Sequence, residues 1–307
     1  MTLLFTDAEV TDHLDASTAV EAMREAVLAA YAGLLVAPPR ASTPLNGGRL
    51  VTTAGQLTGE WYGFRSYDTF GHPEGEQAVV LHDARSGRIR AIAVGEEIGS
   101  RRTGAIGGVA VDALARADAR TVAVLGAGRQ AWTQLWAASA VRPLAEVAVY
   151  CRTPEVREAF AARVRAELGL NARAVTTAAA AVRGRDLVLL ATDSPTPVLD
   201  AGDLAPGAHV NVVGFKQQGR SEFGPDLLDR AEVLATDSPE QAMDYQPPML
   251  AAVPPYADRL HHLGAVLAGA LPGRTDADQV TLFCSVGLAG TEVFLLDRLA
   301  RVAVPRP

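Results

Sequence analysis

The chain has 307 residues, 49% of them hydrophobic and 21% charged, an ordinary balance for a globular protein of one large or two ordinary domains. Its formal net charge is −7, with no basic stripe, which argues against nucleic acid as a partner. The two cysteines, Cys151 and Cys284, stand far apart and outside any CxxC, which excludes a disulfide framework and points to a reducing compartment.

The first residues, MTLLFTDAEVTDHLD, lack a basic n-region and soon reach acidic residues, so no signal peptide is expected. No apolar run reaches membrane-spanning length, and a cytoplasmic protein is the expectation. Thr6 with Glu9 and Thr18 with Glu21 read as capping-box pairs opening two helices. In the second, Val20, Met23, Val27, Ala30, Tyr31 and Leu34 form one buried stripe, ended by Pro38-Pro39. Arg40 follows on an extended segment.

Residues 49–53, 61–70, 77–83 and 88–94 read as antiparallel strands, with Ser86-Gly87 as a hairpin signal. Residues 99–117 read as a helix that begins Ser100-Arg101-Arg102-Thr103-Gly104. From Thr121 strands and helices alternate, which argues a parallel sheet with strands at 121–125, 146–150, 172–175, 186–191, 209–213 and 232–236. Residues 281–299 pass from a short apolar run through Ser285-Val286-Gly287 into a last helix, expected to pack on the first domain.

The centre of this pattern is residues 121–131, TVAVLGAGRQA. A β-forming run enters Gly126-Ala127-Gly128, a helix follows at once, and Ala131 supplies the third small residue of a dinucleotide-binding turn. Gly126, Ala127, Gly128, Arg129 and Gln130 are therefore candidate cofactor-binding residues. At the end of the second strand many such folds carry an acid for the ribose hydroxyls; here the sequence is Tyr150-Cys151-Arg152-Thr153. Arg152 either pairs with a 2′-phosphate, favouring NADP(H) with NAD(H) still possible, or is a solvated surface arginine. Thr192, Val213 and Gly214 lie at carboxyl ends of strands, where ligands bind in open α/β sheets.

Arg40, Arg65 and Arg102 would together suit a carboxylate, although each alone reads more readily as a surface residue. His261-His262 read as solvated helix residues, and no metal-ligand spacing, GxSxG elbow or P-loop is present. Asp193, Asp237 and Glu292 each read as a helix cap or a surface charge.

Taken together, LFTDAEVTDHLD, SRRTGAIGG, VLGAGRQA, VYCRTPE, HVNVVG and TLFCSVGLAG resemble the ornithine cyclodeaminase/mu-crystallin family over nearly the full length. The resemblance implies a Rossmann-type doubly wound parallel sheet at 113–287. It also implies a discontinuous α+β substrate and dimerisation domain at 1–112 and 288–307, a homodimer, and chemistry on small amino or imino acids. It implies carboxylate binding by Arg40 and Arg102, an NADPH-type Arg152-Thr153 pair and a cofactor contact at Ser285.

Two departures bear on the chemistry. Arg65 stands where the family usually has a lysine, and Lys216 stands where cyclodeaminases carry an aspartate. An aspartate there would stabilise a cationic iminium, whereas like charges ~4 Å apart cost about 4 kcal/mol at an effective dielectric near 20. Lys216 would meet a second carboxylate, donate a proton, or point to solvent. Lys216 and Arg65 are the candidate catalytic residues. The expected activity is NAD(P)H-dependent reduction of an imine (ketimine) or α-keto acid to an amine or amino acid. The alternatives are a cyclodeaminase-type lyase with recycled NAD and a catalytically silent nucleotide binder.

Overall fold

The computed structural model describes residues 2–72 and 75–303, and the chain divides into two compact units, residues 1–102 with 287–307 and residues 103–286. The first unit begins with β1 (Leu3–Phe5), α1 (Asp7–His13) and α2 (Ala16–Tyr31). Thr6 caps α1 through the expected reciprocal box with Glu9. The second expected box does not form. Asp15 caps α2 instead, accepting the Thr18 N–H at 2.7 Å, so Thr18 lies inside the helix rather than at its entrance. Nor do the prolines end α2. It stops at Tyr31, Gly33 turns the chain at φ 72°, and Leu34 is exposed.

The chain then runs through β2 (Leu35–Val36), β3 (Ala41–Leu45), β4 (Gly48–Leu57), β5 (Trp61–Asp68), β6 (Ala78–Asp83) and β7 (Ile89–Val94). These strands form a sheet in the order β1-β7-β6-β5-β4-β2, with β3 paired to β4. Its inner face packs against α2 and the C-terminal helix Thr291–Ala303, as expected of that helix. Trp61 is fully buried there, edge-on to Phe294 with ring centroids 5.9 Å apart, and burying a side chain of this kind contributes on the order of 2–3 kcal/mol. Gly55 lets β4 meet the start of the C-terminal helix: a Cβ on it would lie 2.4 Å from the Gly290 Cα. Strand alternation leaves Leu50, Tyr62 and Phe64 exposed on the outer face.

A helix, α3 (Glu97–Leu114), carries the chain across the division; it begins two residues before the expected start and ends three before the expected end. The second unit contains β8 (Thr121–Leu125), α4 (Arg129–Val141), β9 (Glu146–Tyr150), α5 (Pro154–Leu168), β10 (Asn171–Ala174), α6 (Ala178–Val182), β11 (Leu187–Leu190) and β12 (His209–Val212). There follow β13 (Lys216–Gln217), β14 (Arg220–Ser221), α7 (Pro225–Arg230), β15 (Val233–Thr236), α8 (Pro239–Met243), β16 (Leu260–His262), α9 (Leu263–Leu267) and β17 (Thr281–Cys284).

The main sheet has the order β10-β9-β8-β11-β12-β17-β15-β16, with every pair parallel. Its strands read as continuous apolar runs because both faces are covered. Val122 and Val124 enter one core with Leu187 and Leu189, while Ala123 and Leu125 enter the other with Val188 and Leu190. The pair His261-His262 belongs to the edge strand β16 and is half-buried, not on a solvated helix; His262 accepts the Gly264 N–H and so starts α9. No helix among the described residues is long and apolar enough to cross a membrane.

Candidate active site

The glycines after β8 have different physical duties. Gly126 has φ 108°, and a Cβ on it would lie 2.2 Å from the Ala191 carbonyl oxygen, so a side chain would prevent the turn from leaving β8 beside β11. At Gly128 a Cβ would meet nothing within 4 Å. Its bareness leaves open space at the head of α4, where no side chain caps the first N–H groups. An uncapped 13-residue helix facing open space through glycine backbone is a cradle that fits a pyrophosphate. Ala131 is fully buried and packs α4 onto the sheet.

Around this turn lies a cavity of about 440 Å³ lined by Gly126, Ala127, Gly128, Arg152, Thr153 and Thr192, among others. Arg152 is largely exposed and its Nη2 lies 3.5 Å from Asp193, an exposed acid as expected, which also lines the cavity. Arg129 opens α4 exposed, and Gln130 after it is half-buried, its Oε1 buried without a hydrogen-bond partner among the described residues. Val213, Gly214 and Ser285 follow β12 and β17, outside the cavity lining, on the same carboxyl edge. The Val213 N–H donates to Leu190 and the Ser285 N–H to Val212.

Two fully buried carboxylates hold this edge. Glu222 accepts three hydrogen bonds, each of 2.7 Å: Oε2 from the Thr192 N–H and hydroxyl, and Oε1 from the Gly214 N–H. Burial pushes its carboxyl up, against the lowering effect of these donors and of the Lys216 ammonium. Asp237, expected on the surface or at a cap, is buried after β15 and accepts the Val286 N–H at 2.7 Å. Lys216 does not point to solvent. It is 3% exposed on β13, donates to the Val213 carbonyl at 3.0 Å, and lies 5.9 Å from the centre of the Tyr245 ring.

The first unit gathers the three arginines that sequence spacing leaves apart. Arg65 and Arg102 are buried rather than on the surface, and they share one carboxylate oxygen of Glu292, Arg65 Nη1 at 2.6 Å and Arg102 Nη2 at 2.7 Å. Arg65 also donates from Nε to Gln77 Oε1 at 2.9 Å. The Arg40 Nη2 donates to the Gly287 carbonyl at 3.3 Å, and a Cβ on Gly287 would lie 2.8 Å from Arg102 Nη1. Glu292 is therefore an internal counter-ion, neither a cap nor a surface charge. Burial pushes its carboxyl up, but the Arg102 and Arg65 guanidinium groups outweigh that and hold it below the usual carboxylate range.

Sequence reasoning missed Gln77, Glu222 and Glu292. For Glu292 the available signal was the helical stripe it shares with Leu295, Leu296 and Leu299; for Gln77 it was the alternation it shares with the inward Val79 and Leu81; for Glu222, a loop position without periodicity gave none. Among the described residues, no three His, Cys, Asp or Glu side chains gather as a metal site.

The ornithine cyclodeaminase/mu-crystallin family model matches residues 1–299. The chain belongs to this family. Mouse ketimine reductase mu-crystallin is 30% identical over 92% of the chain and 91% of its own length. Two solved structures share the family fold at high coverage. The first is Thermococcus litoralis Δ1-pyrroline-2-carboxylate reductase in complex with NADH and L-proline, with a TM-score of 0.90 and 28% identity over 98% of this chain and 97% of that one. The second is an archaeal alanine dehydrogenase dimer with bound NAD, with a TM-score of 0.87 and 25% identity over 98% and 96%.

Proposed function

We propose that this family member is an NAD(P)H-dependent reductase of a carboxylate-bearing imine or α-keto acid, giving an amino acid or cyclic amino acid. The observation that carries the reading is the cluster of Arg40, Arg65 and Arg102 about Gly287 and Glu292, in a chain that also holds a glycine-lined dinucleotide cradle. Guanidinium groups bind carboxylates through paired N–H donors, so a cluster of three suits the carboxylate of an imino acid. The known reactions of the mouse and Thermococcus relatives are of this type.

A nicotinamide held there would supply the hydride to a C=N carbon, an α-keto acid first condensing with ammonia or an amine to the imine with loss of water, and the nitrogen would take a proton. Arg40 and Arg102 orient the substrate carboxylate, which fixes the face that is reduced. Arg65, engaged by Glu292 and Gln77, serves by holding charge. Lys216, whose ammonium makes one of its three possible donations to Val213, is the proton source we assign to the heteroatom. Gly126 to Gln130, Thr192, Val213, Gly214 and Ser285 hold the dinucleotide. Arg152 and Thr153 favour the 2′-phosphate of NADP(H), because no acid stands at the end of β9 to take ribose hydroxyls.

The domain roles follow: cofactor in residues 113–287, substrate and dimerisation in 1–112 and 288–307. The exposed apolar outer face of the first sheet suits a second copy of this chain, and the archaeal dimer supports a homodimer. The unpaired cysteines suit the cytoplasm.

The test is a purified-protein assay with NADPH and NADH against cyclic imino acids, α-keto acids with amines, and ornithine. Substrate-dependent nicotinamide oxidation is expected. Ornithine turnover with no net change in nicotinamide would refute the reductase reading in favour of a lyase.

A further inference from the structure

Buried Glu222 is unlike the other acids of the second unit. It lies after the short β13–β14 hairpin, yet its side chain reaches two other loops, those that leave β11 and β12. At those exits the backbones abut: a Cβ on Gly214 would lie 2.3 Å from the Thr192 carbonyl oxygen and 2.5 Å from Glu222 Oε1. The Glu222 main chain is held as firmly, its N–H donating to Phe215 and its carbonyl accepting from Val198. All three side-chain bonds require an acceptor, and a carboxylate is the side chain that accepts at both oxygens.

The sheet order gives these contacts their direction. β9, with Arg152 and Thr153 after it, lies on one side of β8, and β11 and β12 lie on the other. In a doubly wound sheet the two halves flanking the first strand take the two nucleotides of a dinucleotide. Arg152 marks the adenosine half; Thr192, on the wall of the same cavity, and Gly214, outside its lining, lie on the nicotinamide side of β8.

We propose that Glu222 is a positioning residue that clamps the exits of β11 and β12 into the floor under the nicotinamide nucleotide. The proposal rests on the dinucleotide reading above. Glu222 bonds Thr192 and Gly214 but neither Arg152 nor Thr153, so its loss is felt unevenly along the ligand.

In Glu222→Gln, either orientation of the amide turns an NH2 group against an N–H donor, so at least one bond becomes a repulsion. The test measures binding of NADPH, NADH, ADP-ribose and 2′,5′-ADP to wild type and Glu222→Gln by calorimetry or fluorescence. The expected result is at least a tenfold rise in Kd for the nicotinamide dinucleotides, and less than a threefold rise for the adenosine fragments. Gly214→Ala, which forces the same joint from the other side, should repeat that split. Equal weakening of dinucleotide and fragments, or no weakening, overturns the clamp.

Should Glu222→Gln not fold, amide hydrogen exchange of the wild-type protein decides. Thr192 and Gly214 N–H groups exchanging as slowly as the neighbouring strand amides support the clamp, and free-loop exchange rates overturn it. A wild type that binds no dinucleotide overturns the functional reading, and the clamp with it, whereas wild-type binding with an unaffected variant overturns the clamp alone.

Discussion

Arg152 follows β9 with its guanidinium mostly in solvent, 3.5 Å from an equally exposed Asp193. An exposed pair at that distance holds little energy, so a phosphate with two charges can displace the aspartate. Arg152→Ala should raise the Kd for NADPH about tenfold, the loss of one charge-assisted contact, and change that for NADH less than twofold; equal effects would remove Arg152 from cofactor choice. Glu292 is the opposite case, a buried anion between two guanidinium groups. Glu292→Gln keeps the shape and removes the charge, so the urea midpoint should fall by about 3 kcal/mol of stability and the imino-acid KM should rise as Arg102 loses its anchor. An unchanged midpoint would mean the arginines find other partners. These burials were partly legible. Arg65 keeps step with the inward Trp61 and Gly63, and Arg102 shares a helical stripe with Ile98, Ala105, Ile106 and Val109. What no spacing reveals is that the two stripes converge on one carboxylate from a helix more than 180 residues further along the chain.

Elements with strong periodicity or special turn chemistry could be read from the sequence, as α4 and the strands β8 to β12 and β15 show, whereas β16 was expected to be helical. The short elements could not. β2, β13 and β14 have two residues each, and pairing rather than propensity defines them. Competition between local hydrogen bonds explains α2, where Asp15 outreaches Thr18 as the cap. Within β12 the buried polar residues His209 and Asn211 break the apolar run for a purpose. His209 joins Thr281 and Asn211 at 2.8 Å each, and Asn211 continues to Gln134 on α4 at 3.2 Å, so β12 and α4 share one polar chain. Burial pushes the His209 imidazole down to about 3, against the Asn211 bond, with Arg274 and Arg142 adding to the depression. The unfolded chain binds this proton below its ordinary value of 6.5 and the folded chain does not. Stability from His209 is therefore complete above that pH and is lost as the pH falls, by about 2 kcal/mol at pH 5. Urea unfolding at pH 7 and pH 5 should give that difference in wild type and a smaller one in His209→Gln; parallel losses would assign the acid sensitivity to other groups.

At the scale of the whole molecule, the first unit presents a mixed sheet, antiparallel except where β1 joins β7, with one face committed to α2 and the C-terminal helix and the other carrying Leu50, Tyr62 and Phe64 at 40%, 40% and 37% exposure. Leu45 and Ile89 are also exposed. Single exposed apolar residues are ordinary, but several on one small sheet suit a surface for a partner to cover. A twofold contact between like sheets satisfies this with no other protein, since each copy offers the patch that the other needs. Phe64 lies on the outer face of β5, between Gly63 and Arg65, which point inward. A charge at Phe64 would therefore oppose association without entering the core. Phe64→Glu should halve the sedimenting mass at micromolar concentration and leave the circular dichroism spectrum unchanged. If wild type already sediments as a monomer, or Phe64→Glu remains a dimer, the outer face has another use. In the expected case, comparing NADPH binding with turnover in the monomeric variant separates two dependences. Retained binding with lost turnover would mean that the first unit, not the second, depends on the second copy.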